Sequence, residues 1–132
     1  DEKRFQHLIE KIKALNIGII CCPSAAISMR QLRGIKTPTF NSIARILDML
    51  AAGIHVRIGS DNIFDITSPA GTIDLIDEIF VLSNALRFYD QDIMAKLGAG
   101  QKINEIEIEK IKSHLEKDAY EVEKSIESYY PD

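Results

Sequence analysis

Apolar residues recur every three or four positions near the start of the chain, and this spacing predicts an amphipathic helix. The repeat consists of Phe5, Leu8, Ile9, Ile12 and Leu15. We therefore predict a helix over residues 2–15, ended by Asn16 and Gly18. A continuous apolar run follows at 17–22 and stops at Pro23, which predicts a strand buried on both faces, as in a parallel sheet.

A change in composition follows this first strand. Ser, Arg, Gly, Lys, Thr and Pro dominate from Ser24 to Phe40, which predicts a long loop. Loops of this kind carry function when a rigid scaffold holds them. Asn41 is a good N-cap for a second helix over residues 42–52, and Gly53 is its predicted C-cap.

Apolar and polar residues then alternate over residues 54–59, which predicts a second strand. Because successive side chains of a strand point to opposite faces, His55 and Arg57 share one face. Asp61 follows on that same side, beyond the carboxyl end of the strand.

Two long helices are predicted for the rest of the chain. The first covers about residues 72–97, with an interruption near Asn84 or Tyr89. Asn104 and Glu107 have the spacing of a capping box, which starts the second helix. The apolar stripe of that helix consists of Ile108, Ile111, Leu115, Ala119, Val122, Ile126 and Tyr129. Such a stripe needs a partner, while the charged faces beside it are expected to be solvated.

The order of these elements indicates α/β architecture with parallel strands. Two parallel strands do not form a stable sheet by themselves. The chain is therefore expected to contain strands that the pattern does not reveal, or to be a piece of a larger barrel or sheet.

Composition narrows the class of protein. The chain has 132 residues, 45% of them hydrophobic, and a formal charge of −4, which is typical of one ordinary folded domain. Its apolar runs are too short to span a bilayer, and no block of Lys and Arg predicts binding to nucleic acid or anionic lipid. Cys21 and Cys22 are adjacent, which disfavours a disulfide and predicts reduced thiols in a cytoplasmic protein.

The turn after the second predicted strand carries the best candidate chemistry. It reads Gly-Ser-Asp-Asn at 59–62, with a further acid, Asp65, four residues after Asp61. Active sites of α/β folds gather at the carboxyl ends of strands, so an Asp there is well placed to bind a metal or a proton. The alternative is structural, because Asp and Asn are also good turn residues.

This region resembles a known family. The segment Gly53–Asp65, followed by Pro-Ala-Gly-Thr-Ile-Asp at 69–74, is similar to the eighth strand and following loop of cytosine deaminase-like members of the amidohydrolase superfamily. Cys-Pro-Ser at 22–24 resembles the end of their seventh strand. The resemblance covers about residues 1–100, which implies the C-terminal portion of a TIM (β/α)8 barrel; residues 101–132 form a C-terminal helical extension.

The resemblance implies a metal-dependent hydrolase that cleaves C–N bonds in amide, amidine or exocyclic amino groups of cyclic, nucleobase-like substrates. Asp61 would bind the catalytic Zn or Fe and act as general base, since a divalent ion lowers the pKa of bound water. Asn62, Asp65 and Ser24 would face the substrate. The family's metal-binding histidines have no counterparts in this chain.

Three interpretations stay open. The chain is a fragment of a complete hydrolase that lacks its N-terminal segment, an inactive short protein of that family that self-associates as a homo-oligomer, or a small α/β binding module. In the last of these, Asp61 has only a structural role.

Overall fold

The fold was analysed in a computed structural model, which describes residues 2–29, 42–61, 63–66, 69 and 71–129. These residues form a mixed α/β structure that is mostly helical, with two parallel strands, as predicted. In chain order the elements are α1 (Glu2–Ala14), β1 (Ile19–Cys21), α2 (Pro23–Ser28), α3 (Ile46–Ala51), β2 (Val56–Ile58), α4 (Leu75–Leu86), α5 (Gln91–Gly98) and α6 (Glu105–Tyr129).

The two strands pair in parallel and bury only one face of the sheet. The paired positions are Ile19 with Val56, Ile20 with Arg57, and Cys21 with Ile58. Cys21, Val56 and Ile58 point into the core, whereas Ile20 is 69% exposed. The prediction that the first strand is buried on both faces is therefore wrong. We call the uncovered side, which carries Ile20 and Arg57, the open face.

Helix boundaries around the first predicted loop differ from expectation. Residues 24–28 of that predicted loop belong to α2. Pro23 occupies the first turn of this helix, where a missing N–H costs nothing. The helix predicted to begin at residue 42 begins at Ile46, and its predicted cap, Asn41, lies outside the described residues. Arg45 precedes it and pairs with Glu2 at 2.7 Å and Asp48 at 2.6 Å, which joins α1 to α3.

The predicted break in the long third helix is confirmed. Arg87, with φ of 52°, ends α4 in the left-handed conformation. Asp90 then starts α5, because its side chain accepts a hydrogen bond from the Ile93 N–H at 3.1 Å. Tyr89, one of the two predicted sites of interruption, lies between the two helices.

The capping box of the last helix is also confirmed. The Glu107 N–H donates to Asn104 Oδ1 at 3.0 Å, and the Asn104 N–H donates to Glu107 Oε2 at 2.7 Å. The apolar stripe then divides into two parts. Ile111 is fully buried where α6 packs against α3, whereas Val122 is 47% and Ile126 56% exposed. Within the described ranges, the second half of the stripe has no covering element.

The core lies between the buried face of the sheet and the helices. Its most deeply buried apolar residues are Ile46, Leu50, Val56, Leu82, Ile93, Leu97 and Ile111. They come from α3, β2, α4, α5 and α6, so the sheet and four helices share one core. The carboxyl ends of the two strands are left at the rim of this core.

The division of the α6 stripe predicts unequal costs of truncation. Ile111→Ala should lower the free energy of unfolding by about 2–5 kcal/mol, because it leaves a cavity in the core. Ile126→Ala, the same change at an exposed position of the same helix, should change it by less than about 0.5 kcal/mol. Urea unfolding followed by circular dichroism measures both, and equal losses would contradict this packing.

Candidate functional site

The two strands continue to pair at their carboxyl ends. The Gly59 N–H donates to the Cys21 carbonyl at 2.9 Å, one residue beyond β2. A Cβ at Gly59 would lie 3.0 Å from Ile20 Cγ2 and 3.3 Å from Cys22 Sγ. The absence of a side chain at Gly59 thus lets Ile20 and Cys22 pack beside it on the open face.

Asp61 lies in the turn that follows β2, as the sequence predicts. Its backbone has φ of 58°, a left-handed conformation that Asp tolerates better than most residues, and its side chain is exposed. Burial, and next the negative charges of Asp61 and Glu78, raise the pKa of the Cys22 thiol. The Asp61 charge, which lies after β2, therefore also affects the pKa of a thiol at the carboxyl end of β1.

Ser24 is held at this end by a residue that the sequence analysis missed. Glu78 of α4 is 1% exposed, and its Oε2 accepts the Ser24 N–H at 2.9 Å. Its Oε1 accepts a hydrogen bond from the Ser24 hydroxyl. Glu78 thus caps the first turn of α2 from a different helix, where the backbone N–H groups have no helical partner.

The signal for Glu78 was present in the sequence. Leu75 and Leu82 lie three and four positions from Glu78, on the same face of α4, and Ile79 is its immediate neighbour in the sequence. Leu82 is fully buried, and the other two pack against the core. A carboxyl group in such an apolar stripe must find hydrogen-bond donors when it is buried, and this one finds them on Ser24.

Two predicted site residues remain, Asp65 and Asn62. Asp65 is half-buried in the loop after β2, where the neighbouring Phe64 N–H donates to the Gly71 carbonyl at 3.3 Å. Asn62 lies outside the described residues. The structure thus brings together Cys22, Ser24 and Glu78, with Asp61 at the neighbouring strand end.

The described residues do not supply a complete metal site. No group of three or more His, Cys, Asp or Glu side chains among them could hold an ion. Zinc in proteins takes about three or four such ligands, so these residues do not fit a whole zinc centre. The three histidines lie elsewhere: His7 in α1, His55 before β2 and His114 in α6.

Neither cysteine is an activated nucleophile. Burial raises the pKa of the Cys21 thiol to about 11, and Cys22 is shifted in the same direction. The thiolate is the nucleophilic form, and it is scarce for both residues at neutral pH. Both cysteines are free, as predicted from their adjacency, and Cys21 is packed in the core.

Comparison of the chain with protein-family models, curated proteins and solved structures finds no match. The resemblance to the amidohydrolase superfamily therefore stays a prediction. Across the ranges that the structure describes, no helix combines the length and apolar character needed to cross a membrane.

The cap on α2 predicts a specific loss of stability. Glu78→Ala removes both acceptors of Ser24 and should lower the free energy of unfolding by about 1–3 kcal/mol, since a partly buried N–H is left without a partner. Glu127→Ala, at an exposed position of α6, should cost less than about 0.5 kcal/mol. Chemical unfolding compares the two variants, and a Glu78→Ala protein as stable as the unaltered chain would refute the capping role.

Proposed function

We propose that this chain supplies Asp61 to the active site of a metal-dependent hydrolase that cleaves C–N bonds in cyclic, nucleobase-like substrates. One observation supports the proposal. The exposed Asp61 follows the carboxyl end of β2, and Ser24, bound to the carboxyl group of Glu78, follows the carboxyl end of the neighbouring parallel strand β1. Active sites of α/β folds lie at this end of the sheet.

The open face supports the idea of a larger sheet around this one. In a TIM barrel, helices cover the outer side of each strand and other strands enclose the inner side. Here helices cover Val56 and Ile58, while Ile20 and Arg57 on the other side are exposed. On this proposal, β1 and β2 are the last two strands of such a barrel, and the open face is part of its interior.

Each side chain has a distinct role in the proposed reaction. Asp61, which is exposed, accepts the proton of the attacking water and passes it to the leaving nitrogen. The Ser24 hydroxyl already donates to Glu78, so its oxygen is left to accept a hydrogen bond from substrate. Asn62 and Asp65 are proposed to face the substrate as well. Ligands for Zn or Fe besides Asp61 would come from outside the described residues.

The isosteric change Asp61→Asn tests this role, because it removes the base and keeps the shape. In the complete protein, which would supply the remaining metal ligands, we expect release of ammonia from an aminopyrimidine or opening of a cyclic amide, and we expect Asp61→Asn to lower kcat at least about hundredfold. Asp92→Asn, an exposed carboxyl on α5, is the matched control and should leave kcat unchanged. Retained turnover in Asp61→Asn would overturn the proposal.

A second candidate function follows from the open face itself. We propose as the alternative that the chain is a catalytically inactive module that self-associates. Ile20 is 69% exposed in the middle of β1, so a partner on the open face would remove this side chain from water, and the outer edge of each strand in the described two-stranded sheet invites pairing with another chain. In this case the strand ends have a structural role, and Asp61 only shapes the turn.

If the chain self-associates through the open face, a charge introduced on that face should break the oligomer. Ile20→Lys should convert a homo-oligomer to monomer, because a lysine would lose its hydration in the interface. Ser113→Lys, which adds the same charge at an exposed polar position of α6 outside the apolar stripe, should leave the oligomer intact. Size-exclusion chromatography with light scattering measures the mass of each. A monomeric unaltered protein, or an Ile20→Lys oligomer, would exclude this function.

A further inference from the structure

A cavity of about 310 Å³ lies at the amino ends of the strands, opposite to the candidate site. It is formed where the end of α1, the residues just before β1 and β2, and the segment between α5 and α6 meet. Gly18 and His55, each the residue immediately before a strand, both line it. Small-molecule sites have volumes from roughly 300 Å³ upward, so this cavity is large enough for a compact ligand.

The floor and the rim of the cavity differ in character. Leu50, Ile54 and Val56 form part of the floor, and all three are buried in the core. Lys13 of α1 and Lys102 of the segment between α5 and α6 also line the cavity, and both are exposed at its rim. Among the described residues that line the cavity, none is Asp or Glu.

The two lysines at the rim have no neutralising partner among the residues that the structure describes. Neither Lys13 nor Lys102 forms an ion pair with any carboxylate in the described part of the chain. Arg57 donates from Nε to His55 Nε2 at 3.2 Å instead of to an acid. Burial, and next the charges of Arg57 and Lys102, lower the pKa of His55.

The excess of positive charge around the cavity contrasts with the net negative charge of the whole chain. The formal charge of the whole protein is −4, yet the cavity carries two lysines beside an arginine and an uncharged histidine. Because Arg57 binds Nε2 of the neutral imidazole, the proton lies on Nδ1, which leaves a further donor. Cations without partners around an apolar floor make an environment suited to an anion with an apolar body.

We infer that this cavity binds a small organic anion, a carboxylate or phosphate group on an apolar or aromatic body. Lys13 and Lys102 bind the anionic group at the rim, and the body contacts the floor around Ile54 and Val56. The inference does not depend on the proposed hydrolase, because the cavity lies at the other end of the strands and shares no residue with the candidate site.

Two probe anions and a neutral analogue test the inference. Isothermal titration calorimetry should show saturable binding of phenyl phosphate or phenylacetate, which separates the two anionic groups, and much weaker binding of benzyl alcohol. Inorganic phosphate, which lacks the apolar body, should also bind weakly. Methyl resonances of Ile54 and Val56 should shift on addition of the probe that binds.

Matched lysine variants locate the site. The double variant Lys13→Gln, Lys102→Gln should weaken binding at least about tenfold, because two charge-assisted contacts are lost. Lys11→Gln is the control, since Lys11 lies on the same helix as Lys13 but does not line the cavity. All three lysines are exposed, so the variants should keep the circular dichroism spectrum of the unaltered protein.

Three results would overturn the inference. They are the absence of saturable binding by both anions, unchanged affinity in the Lys13, Lys102 variant, and an equal loss in Lys11→Gln, which would indicate attraction to surface charge alone. A negative result here leaves Asp61 untested, and inactivity of the protein as a hydrolase leaves this cavity untouched, so the two proposals fail independently.

Discussion

The one-sided burial of a two-stranded parallel sheet is the constraint on which the rest of this structure depends. Two strands of three residues each cannot hold a fold together, so their stability comes from the helices packed on one face. Val56 is fully buried on that face, in a core shared with α3, α4, α5 and α6. Ile20, on the other face, is left uncovered by any described element.

The same arrangement gives the molecule two chemically different ends. The carboxyl ends of the strands gather Asp61, the buried Glu78 and the hydroxyl of Ser24. The amino ends gather Lys13 and Lys102 around a cavity whose lining, in the described part of the chain, contains no carboxylate. Because parallel strands bring like ends together, charges that are scattered along the sequence become concentrated at opposite edges. On the two proposals made above, the carboxyl ends take a proton or a metal ion and the amino ends take an anion.

Glu78 shows how a polar group can fix the position of a site. A carboxyl group in the core is costly unless donors reach it, and the N–H and hydroxyl of Ser24 do so. This contact joins α4 to the first turn of α2 and thereby fixes the residues that follow β1. The two hydrogen bonds offset the cost of burying the carboxyl group, and they hold Ser24 beside the strand ends.

Local sequence patterns determined the parts of the structure that depend on neighbouring residues. Asn104 and Glu107 form the predicted capping box, and Tyr89 lies in the predicted break between α4 and α5. The alternation of apolar and polar residues predicted the second strand, and in the structure Asp61 follows the carboxyl end of that strand. These predictions are confirmed because a helix cap or a hydrophobic repeat involves residues only a few positions apart. The backbone fixes the geometry between such residues.

Only the tertiary structure decided which apolar residues are buried and which polar groups meet. Ile20 and Ile126 belong to apolar patterns as clear as that of Ile111, yet they are exposed, because burial depends on which element packs opposite. Glu78 and Ser24 are 54 positions apart, so no local pattern could pair them. The role of Glu78 therefore follows from packing between distant elements, and the sequence alone marks it only as a charge in an apolar stripe.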